Sequence, residues 1–450
     1  MISAFKNIFK VKDLRKKILY TLAMIAIIRI IQNIPIPGIN VDQLTLALED
    51  AKENQAASNG IIQTLNIFSG GALAKCAIGV LGIMPYITAS IILQLMSPVF
   101  PQLQKMQREG VQGRQKYIQL TRYITILICV VQGFLFARGL PTLFSGYNLI
   151  NDTSMGFYVS TTLILLASAM LIMWLGEQIT DKGIGQGASI IITVSVISSM
   201  PSAIFRVVKF ISEDQMTPIG AILLASLFLA VTAATVMVVQ GMRKIPLKYA
   251  KRTAGSRGSV EKTSYLPLKV NHAGVMPIIF AGPVMIFLGF VVSYGANNGV
   301  DWLKTASALL GYGDPVYILI FGILILGFTF FWVATQFNPI QIADDLNRQG
   351  GFIPGVRPGD ATAEFLNATM TRITFAGAVF LTALAVFPLL LFSYVELLKS
   401  NQDITSLFGG TSLLIMVGVI LQTMQQIEVQ LVQHNYEGFV STGRLRSRAG

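Results

Sequence analysis

Apolar stretches of about 20 residues return along the whole length of this chain, separated by shorter polar segments. That recurrence leaves few folds open. An α-helix rises 1.5 Å per residue, so about 20 residues cross the roughly 30 Å hydrocarbon core of a bilayer. Ten such stretches are found, at 18–34, 72–98, 117–137, 155–176, 187–209, 217–240, 272–293, 315–337, 372–395 and 406–426. The fifth is the weakest, because Pro201 and Arg206 interrupt it and its securely apolar part runs only from Ala188 to about Ile197. Composition agrees: 53% of the 450 residues are hydrophobic and 12% are charged, against roughly 25% charged in soluble domains. No polar stretch is long enough to enclose a core of its own. The expectation is an all-α polytopic membrane protein with ten transmembrane helices.

Lysine and arginine set the orientation, because they accumulate in cytosolic loops. With the N-terminus inside, the cytosolic segments hold about 26 of the 34 Lys+Arg and the outer loops about six. Both termini are therefore expected in the cytosol, and the net charge of +12 is mainly topogenic. The basic N-terminus runs into Ile18–Ile31 and then Asn33-Ile34-Pro35-Ile36-Pro37-Gly38, with no small-residue cleavage site, so the first span reads as retained. A long basic loop at 241–270 divides the spans five and five. An odd number per half makes the halves enter the membrane from opposite sides, the geometry of an inverted repeat. The expected organisation is an N-terminal half at 1–210, a sixth span at 211–240, the basic loop at 241–270, the rest of the C-terminal half at 271–430 with a cytosolic loop at 338–372, and a tail at 431–450.

The second stretch is broken near its start. Ile61, Ile62, Leu65 and Phe68 form one apolar face of a short amphipathic piece, and Ser69-Gly70-Gly71 interrupts it before a full-length apolar run from Ala72 to Pro98. Unpaired backbone groups facing lipid cost several kcal/mol each. A break at membrane depth therefore sits inside protein or lines an aqueous cavity. The short piece is either a re-entrant element or an interfacial helix on the outer surface. Further on, Ile83 and Ile87 share a helix face, Thr88 and Gln94 add polar groups suited to a bundle interior, and Pro85 suggests a kink.

Two cytosolic loops carry pattern. In the basic loop, Arg243, Lys244, Lys248, Lys251 and Arg252 precede a turn at Ala254–Ser259, and Ile245–Arg252 and Thr263–Val270 read as paired strands. Such a ribbon suits an anionic partner, or it is a plain topogenic loop. In the eighth loop, glycines and prolines from Gly350 to Gly359 build a tip that holds Arg357 out, for docking or as a solvated turn.

Catalytic signals are missing from the sequence. There is no GxxxxGK[ST], no HExxH and no paired CxxC; the two histidines are His272 and His434, and Cys76 and Cys129 fall in apolar spans as packing residues. Neither an enzyme nor a cofactor or metal is expected. Ionisable residues inside the spans are few. Arg29 is the clearest and is placed to snorkel outward. Ion-coupled transport generally uses carboxylates at depth, and none is evident, although a secondary transporter also fits broken helices and inverted repeats.

Several motifs, in order, carry a resemblance: Phe68-Ser69-Gly70-Gly71-Ala72-Leu73, Gly82-Ile83-Met84-Pro85-Tyr86-Ile87, Gly176-Glu177-Gln178-Ile179-Thr180-Asp181-Lys182-Gly183, Arg243-Lys244-Ile245-Pro246-Leu247-Lys248, Leu266-Pro267-Leu268-Lys269-Val270-Asn271, Phe352-Ile353-Pro354-Gly355-Val356-Arg357-Pro358-Gly359 and Gly409-Gly410-Thr411-Ser412-Leu413-Leu414-Ile415. Together they resemble the SecY family, central subunits of the bacterial protein-translocation channel, over nearly the whole chain. The resemblance implies two inverted five-helix halves around a pore, a waist ring at Ile83, Ile87, Ala188, Ile192, Ile279 and Ile415, and a plug at about 61–71 with Gly70-Gly71 as its hinge. Ala188 departs from the bulky aliphatic usual at its place, and His272 stands where an apolar residue is common. It also implies a lateral gate with Thr88, Gln94 and Asn271 as polar members, and docking surfaces around Lys248 and Arg357. The implied partners are SecE and SecG small subunits, the motor ATPase SecA, the ribosome, signal sequences with their nascent chains, and membrane lipids. The implied place is the bacterial cytoplasmic membrane, and the implied work is passing unfolded secretory chains across it and releasing hydrophobic segments sideways into lipid.

Overall fold

The computed structural model describes residues 11–44, 46, 66, 69–97, 99–143, 150, 154–213, 217–249, 264–297, 301–311, 314–394 and 410–442. The chain divides into two units, Met1–Phe205 with Val419–Gly450, and Arg206–Gly418. Among the described residues, six stretches are long and apolar enough to cross a membrane: Gly110–Pro141, Met155–Lys182, Pro218–Gln240, Pro315–Arg348, Asp360–Phe387 and Ser412–Val432; Met84–Met96 and Gly187–Ser198 are shorter apolar helices.

The first unit contains α1 (Lys12–Ile31), α2 (Met84–Met96), α3 (Pro101–Arg108), α4 (Gly110–Leu143), α5 (Met155–Lys182) and most of α6 (Gly187–Ser212). α4 and α5 pair along their lengths, α2 and α3 lie against α4, and α1 lies against α5. Arg122, inside an expected span, forks onto Glu177 across the α4–α5 pair, with Nε–Oε1 3.1 Å and Nη2–Oε2 2.6 Å. A half-exposed pair of this kind contributes at most about 1 kcal/mol, so its main effect is on the register of the two helices. Leu14 at the start of α1 and Ile184 in the α5–α6 turn form a small core with Ile427 and Leu431.

The second stretch departs from expectation. The helix expected from Ala72 begins only at Met84, and Pro85 stands in its first turn rather than at a kink. Proline suits that position because its missing N–H has no intrahelical partner there. With 13 residues, α2 is about 20 Å long and too short to span alone. Residues 69–83 form successive turns, with positive φ at Gly70, Gly71, Cys76 and Gly82. Their backbone is satisfied within the protein. Ile36 N donates to Cys76 O (3.0 Å), Ile78 N donates to Ile34 O (2.8 Å), and the Ser168 hydroxyl of α5 donates to Ile78 O. Ala72, Cys76, Ala77 and Val80 are buried, and Cys76 and Val80 share a core with Ile36, Leu140 and Leu165. Irregular backbone is tolerated inside an apolar stretch where protein, not lipid, surrounds it.

The second unit contains α7 (Pro218–Gln240), β1 (Met242–Tyr249), β2 (Ser264–Lys269), α8 (Met276–Asn297), α9 (Asp301–Leu309), α10 (Pro315–Gln336), α11 (Pro339–Arg348), β3 (Gly351–Phe352), α12 (Asp360–Tyr394) and the start of α13 (Gly410–Thr442). α10 packs on both α8 and α12, around a core that includes Ile278, Met285, Phe321, Ile325, Leu381 and Leu414. Side-chain caps fix two helix starts: the Thr217 hydroxyl accepts from Gly220 N and the Asn338 amide oxygen from Gln341 N, each at 3.2 Å.

The two patterned loops form one sheet, ordered β2-β1-β3. β1 pairs antiparallel with β2 from Met242↔Lys269 to Leu247↔Ser264. The ribbon therefore begins three residues earlier than the sequence pattern suggests. The eighth loop, read in the sequence as a separate tip, adds β3 to the other edge of β1 through Lys248↔Phe352 and Tyr249↔Gly351. Alternation along β1 buries Ile245 and Leu247 and leaves Lys244, Pro246 and Lys248 exposed.

Candidate functional site

The implied ring residues are carried by four helices. Ile83 caps α2 at its N-terminus and Ile87 follows one turn later. Ala188 and Ile192 are one turn apart near the start of α6. In the first unit these two helices meet at Gly176 of α5. A side-chain carbon there would lie 3.1 Å from Ile191 Cδ1, 3.2 Å from Ile83 Cδ1 and 3.9 Å from Ala188 N. Gly176 thus lets Ile83 and the head of α6 approach α5 closely. Ile83, Ile87 and Ile192 are buried and Ala188 is half-buried. In the second unit, Ile279 of α8 and Ile415 of α13 are buried, next in sequence to Ile278 and Leu414 of the core.

At the neck of the broken stretch lies a polar cluster that sequence reasoning missed. Arg29, in the last turn of α1, does not snorkel outward. Its Nη1 donates to Gln32 Oε1 (2.8 Å) and Gly70 O (3.3 Å), and its Nη2 donates to Val194 O of α6. Gln32 is buried, and its Nε2 donates to Ser195 Oγ at 3.4 Å. The available signal was an arginine three residues before a glutamine at the end of a span. Of the implied plug residues, Ile61, Ile62, Leu65 and Phe68 lie outside the described residues, while Ser69 is buried and Gly70 and Gly71 are half-buried.

The implied gate residues differ in how they are satisfied. Thr88 Oγ1 donates back to Met84 O at 3.0 Å, the usual solution for a helical threonine. Gln94 Oε1 and Asn271 Oδ1 are buried with no hydrogen-bond partner among the described residues. An unpaired buried acceptor costs about 1–3 kcal/mol, so both positions favour an incoming donor.

The candidate docking residues Arg243, Lys244 and Lys248 are exposed on β1, while Lys251 and Arg252 lie outside the described residues. Arg357 is exposed between Gly355 (φ +85) and Gly359 (φ +95), and its carbonyl accepts from the Thr362 hydroxyl at 2.8 Å. The β1–β3 pairing joins the two patterned loops through one strand, a link that a two-residue strand does not announce in sequence.

Comparison with known proteins bears on this arrangement. The model of the SecY family matches residues 77–424. The chain is 38% identical over 465 residues to the protein translocase subunit SecY of Chlamydia trachomatis, covering 99% of this chain and 100% of that one. It is 41% identical over 456 residues to that of Streptomyces galbus (98% and 100% covered), and 38% identical over 435 residues to that of Escherichia coli K12 (96% and 95% covered). A solved structure of a protein-conducting channel superposes with TM-score 0.62 over 93% of both chains at 18% identity. Sec61 from the canine ribosome-channel complex of the endoplasmic reticulum superposes with TM-score 0.60 over 93% of both chains at 17% identity. These structures share the fold, and the sequence relatives share the family. The chain belongs to the SecY family of protein translocase subunits.

Proposed function

We propose that this chain is a protein-conducting channel that passes unfolded secretory polypeptides across a bacterial cytoplasmic membrane and releases hydrophobic segments into lipid through a lateral gate. The observation that carries the reading is the span of turns at 69–83: irregular backbone inside an apolar stretch, packed within protein and leading into a short helix that is capped by Ile83 and starts at Met84. A chain that only anchored itself would gain nothing from such a costly break.

In this reading Ile83, Ile87, Ala188, Ile192, Ile279 and Ile415 form the waist. A narrow apolar ring resists wetting and so blocks ions without a bonded door, and it makes no sequence-specific demand on a passing chain. The segment 61–71 is the plug that closes it a second time. A signal sequence is itself an apolar helix, gaining roughly 0.3–0.6 kcal/mol per Leu-like residue on leaving water for lipid. The unpaired acceptors of Gln94 and Asn271 suit a gate that exchanges hydrogen bonds as it opens. The ion-coupled transporter alternative finds no support in the relatives or in the related structures.

Energy comes from partners. The sheet that joins Lys248 to the Arg357 loop offers a cationic face to the ribosome and to SecA, and the SecE and SecG subunits complete the membrane assembly. Both termini face the cytosol. Arg357→Glu reverses a charge at the tip of that face without touching a buried group. We expect it to lower SecA-driven import of a secretory precursor into vesicles carrying the full translocon about tenfold, equivalent to about 1.4 kcal/mol of docking energy, while its thermal stability is unchanged. Import measured as the protease-protected fraction tests both levels. Import that does not depend on this chain refutes the channel, and wild-type import and ribosome binding by Arg357→Glu refute the docking role.

A further inference from the structure

The cluster at Arg29 is built around one guanidinium and two carbonyls that belong to different elements. An arginine in a membrane span is costly and is retained where it is paired. Here it stands in the last turn of α1, where the helix dipole favours a cation. Its planar fork reaches Gly70 O on the neck and Val194 O on α6 at once, which a lysine, a single point charge, does not reproduce. Gln32 accepts from the same Nη1 and donates onward to Ser195 of α6.

The neck is shaped to receive this group. A Cβ on Gly70 would fall 2.6 Å from Arg29 Nη1, 3.0 Å from Gln32 Oε1 and 3.2 Å from Ser195 Oγ, and φ is +69°. The left-handed backbone favours glycine there, and an added Cβ would have to push the Arg29 guanidinium aside. The rest of the neck bonds to itself: Gly71 N donates to Asn66 O (2.8 Å), Leu73 N to Ser69 Oγ (3.2 Å) and Ala74 N to Asn66 Oδ1 (2.9 Å). It is a closed turn, and its Gly70 carbonyl is offered to the arginine. Val194 lies two residues beyond Ile192, so the same cation holds the neck beside the helix that carries part of the waist.

We infer that Arg29 is a latch: its guanidinium ties the neck at Ser69–Gly71 to α6, and the neck leaves α6 when either the Gly70 or the Val194 carbonyl gives up the cation. The latch rests on the channel reading for its consequence, a tighter resting seal, but not for its existence. Gln32 is a positioning residue that holds the fork through its carboxamide oxygen and itself to Ser195.

The test uses the full chain in lipid vesicles, with Arg29→Gln, Arg29→Lys, Gly70→Ala and the double variant Arg29→Gln/Gly70→Ala. Amide hydrogen exchange at Gly71, Leu73 and Ala74 is expected to speed up about tenfold or more in Arg29→Gln and less in Arg29→Lys, with the α5 amides unchanged, because charge-assisted bonds to one local unit are lost. The double variant is expected to exchange no faster than the faster single one, since both remove the same contact. Chloride leak from the same vesicles is expected to rise in parallel. Faster exchange with unchanged leak keeps the latch and refutes the channel role of the neck. Unchanged exchange at the neck in both Arg29 variants, or strictly additive effects in the double variant, overturns the latch. Should Arg29→Gln fail to accumulate, Arg29→Lys and Gly70→Ala decide by the same criterion.

Discussion

Replacing Gly187 with alanine is expected to cost the first unit much of its stability. Gly187 opens α6, and a Cβ on it would fall 1.8 Å from the carbonyl oxygen of Gly176, 2.7 Å from its carbon and 3.0 Å from its Cα. All three are backbone atoms of α5, so no side chain can swing aside. Relief requires moving α6 away from α5. That would break the bond from Gly187 N to the Thr180 hydroxyl (2.9 Å). It would also disturb the turn in which Ile184 N donates to Thr21 Oγ1 of α1 (3.1 Å). Overpacking usually costs 1–3 kcal/mol, and a rigid backbone contact belongs at about 3 kcal/mol, a large part of a total that is itself about 5–15 kcal/mol. The melting midpoint of the detergent-solubilised chain, followed by size exclusion after heating, is expected to fall by about 5 °C or more. Gly327→Ala is the matched control, because no atom lies within 4 Å of a Cβ there, and it is expected to stay within about 0.5 kcal/mol of wild type. Equal midpoints for the two variants would show that the α5–α6 approach is not as close as described.

Ile415→Asn is expected to open a leak rather than unfold the chain. Ile415 is fully buried at the start of α13 and is one of the six residues assigned to the waist. An asparagine of similar reach gives water a partner where isoleucine gives none. If the barrier to wetting falls by about 1.4 kcal/mol, ion flux rises about tenfold. The cost of burying the amide, about 1–3 kcal/mol in mutational data, falls short of the whole stability of the unit. Chloride efflux from vesicles holding the resting translocon measures the effect. The same variant is expected to admit precursors with weakened signal sequences, because a wetter waist is easier to open. Unchanged efflux and unchanged selectivity together would remove Ile415 from the waist.

The sequence makes some of this legible and hides the rest for physical reasons. Long helices such as Met155–Lys182 and Pro315–Gln336 are readable because lipid demands continuous apolar residues, and the same demand makes their edges vague. α4 runs past both of its expected ends and α12 begins well before its expected start, since a helix continues into water wherever its backbone bonds can be kept. The stretch at 72–83 misleads for the opposite reason: protein encloses it, so its residues are as apolar as a helix while its backbone turns, and Gly79 and Gly82 are faint signals against that background. β3 is only two residues long, and pairing so short leaves no alternation to read. Arg29 is readable as an outlier, but the direction of its side chain depends on the carbonyls of Gly70 and Val194, which are remote in sequence. The motif resemblance supplied the candidate waist, plug and gate residues. The spacing of residues alone gave neither Gly176, where α2 and α6 meet α5, nor the joining of the two patterned loops by β1.

The most direct test of the channel itself is contact with a passing chain. A photocrosslinking residue placed at Ile87 in the first unit, and separately at Ile279 in the second, is presented with a ribosome stalled midway through a secretory polypeptide. The channel reading predicts that both positions crosslink the nascent chain, and that neither does so when the stalled polypeptide lacks its signal sequence. Absence of crosslinks from both positions, in vesicles that still import the same precursor, would contradict it.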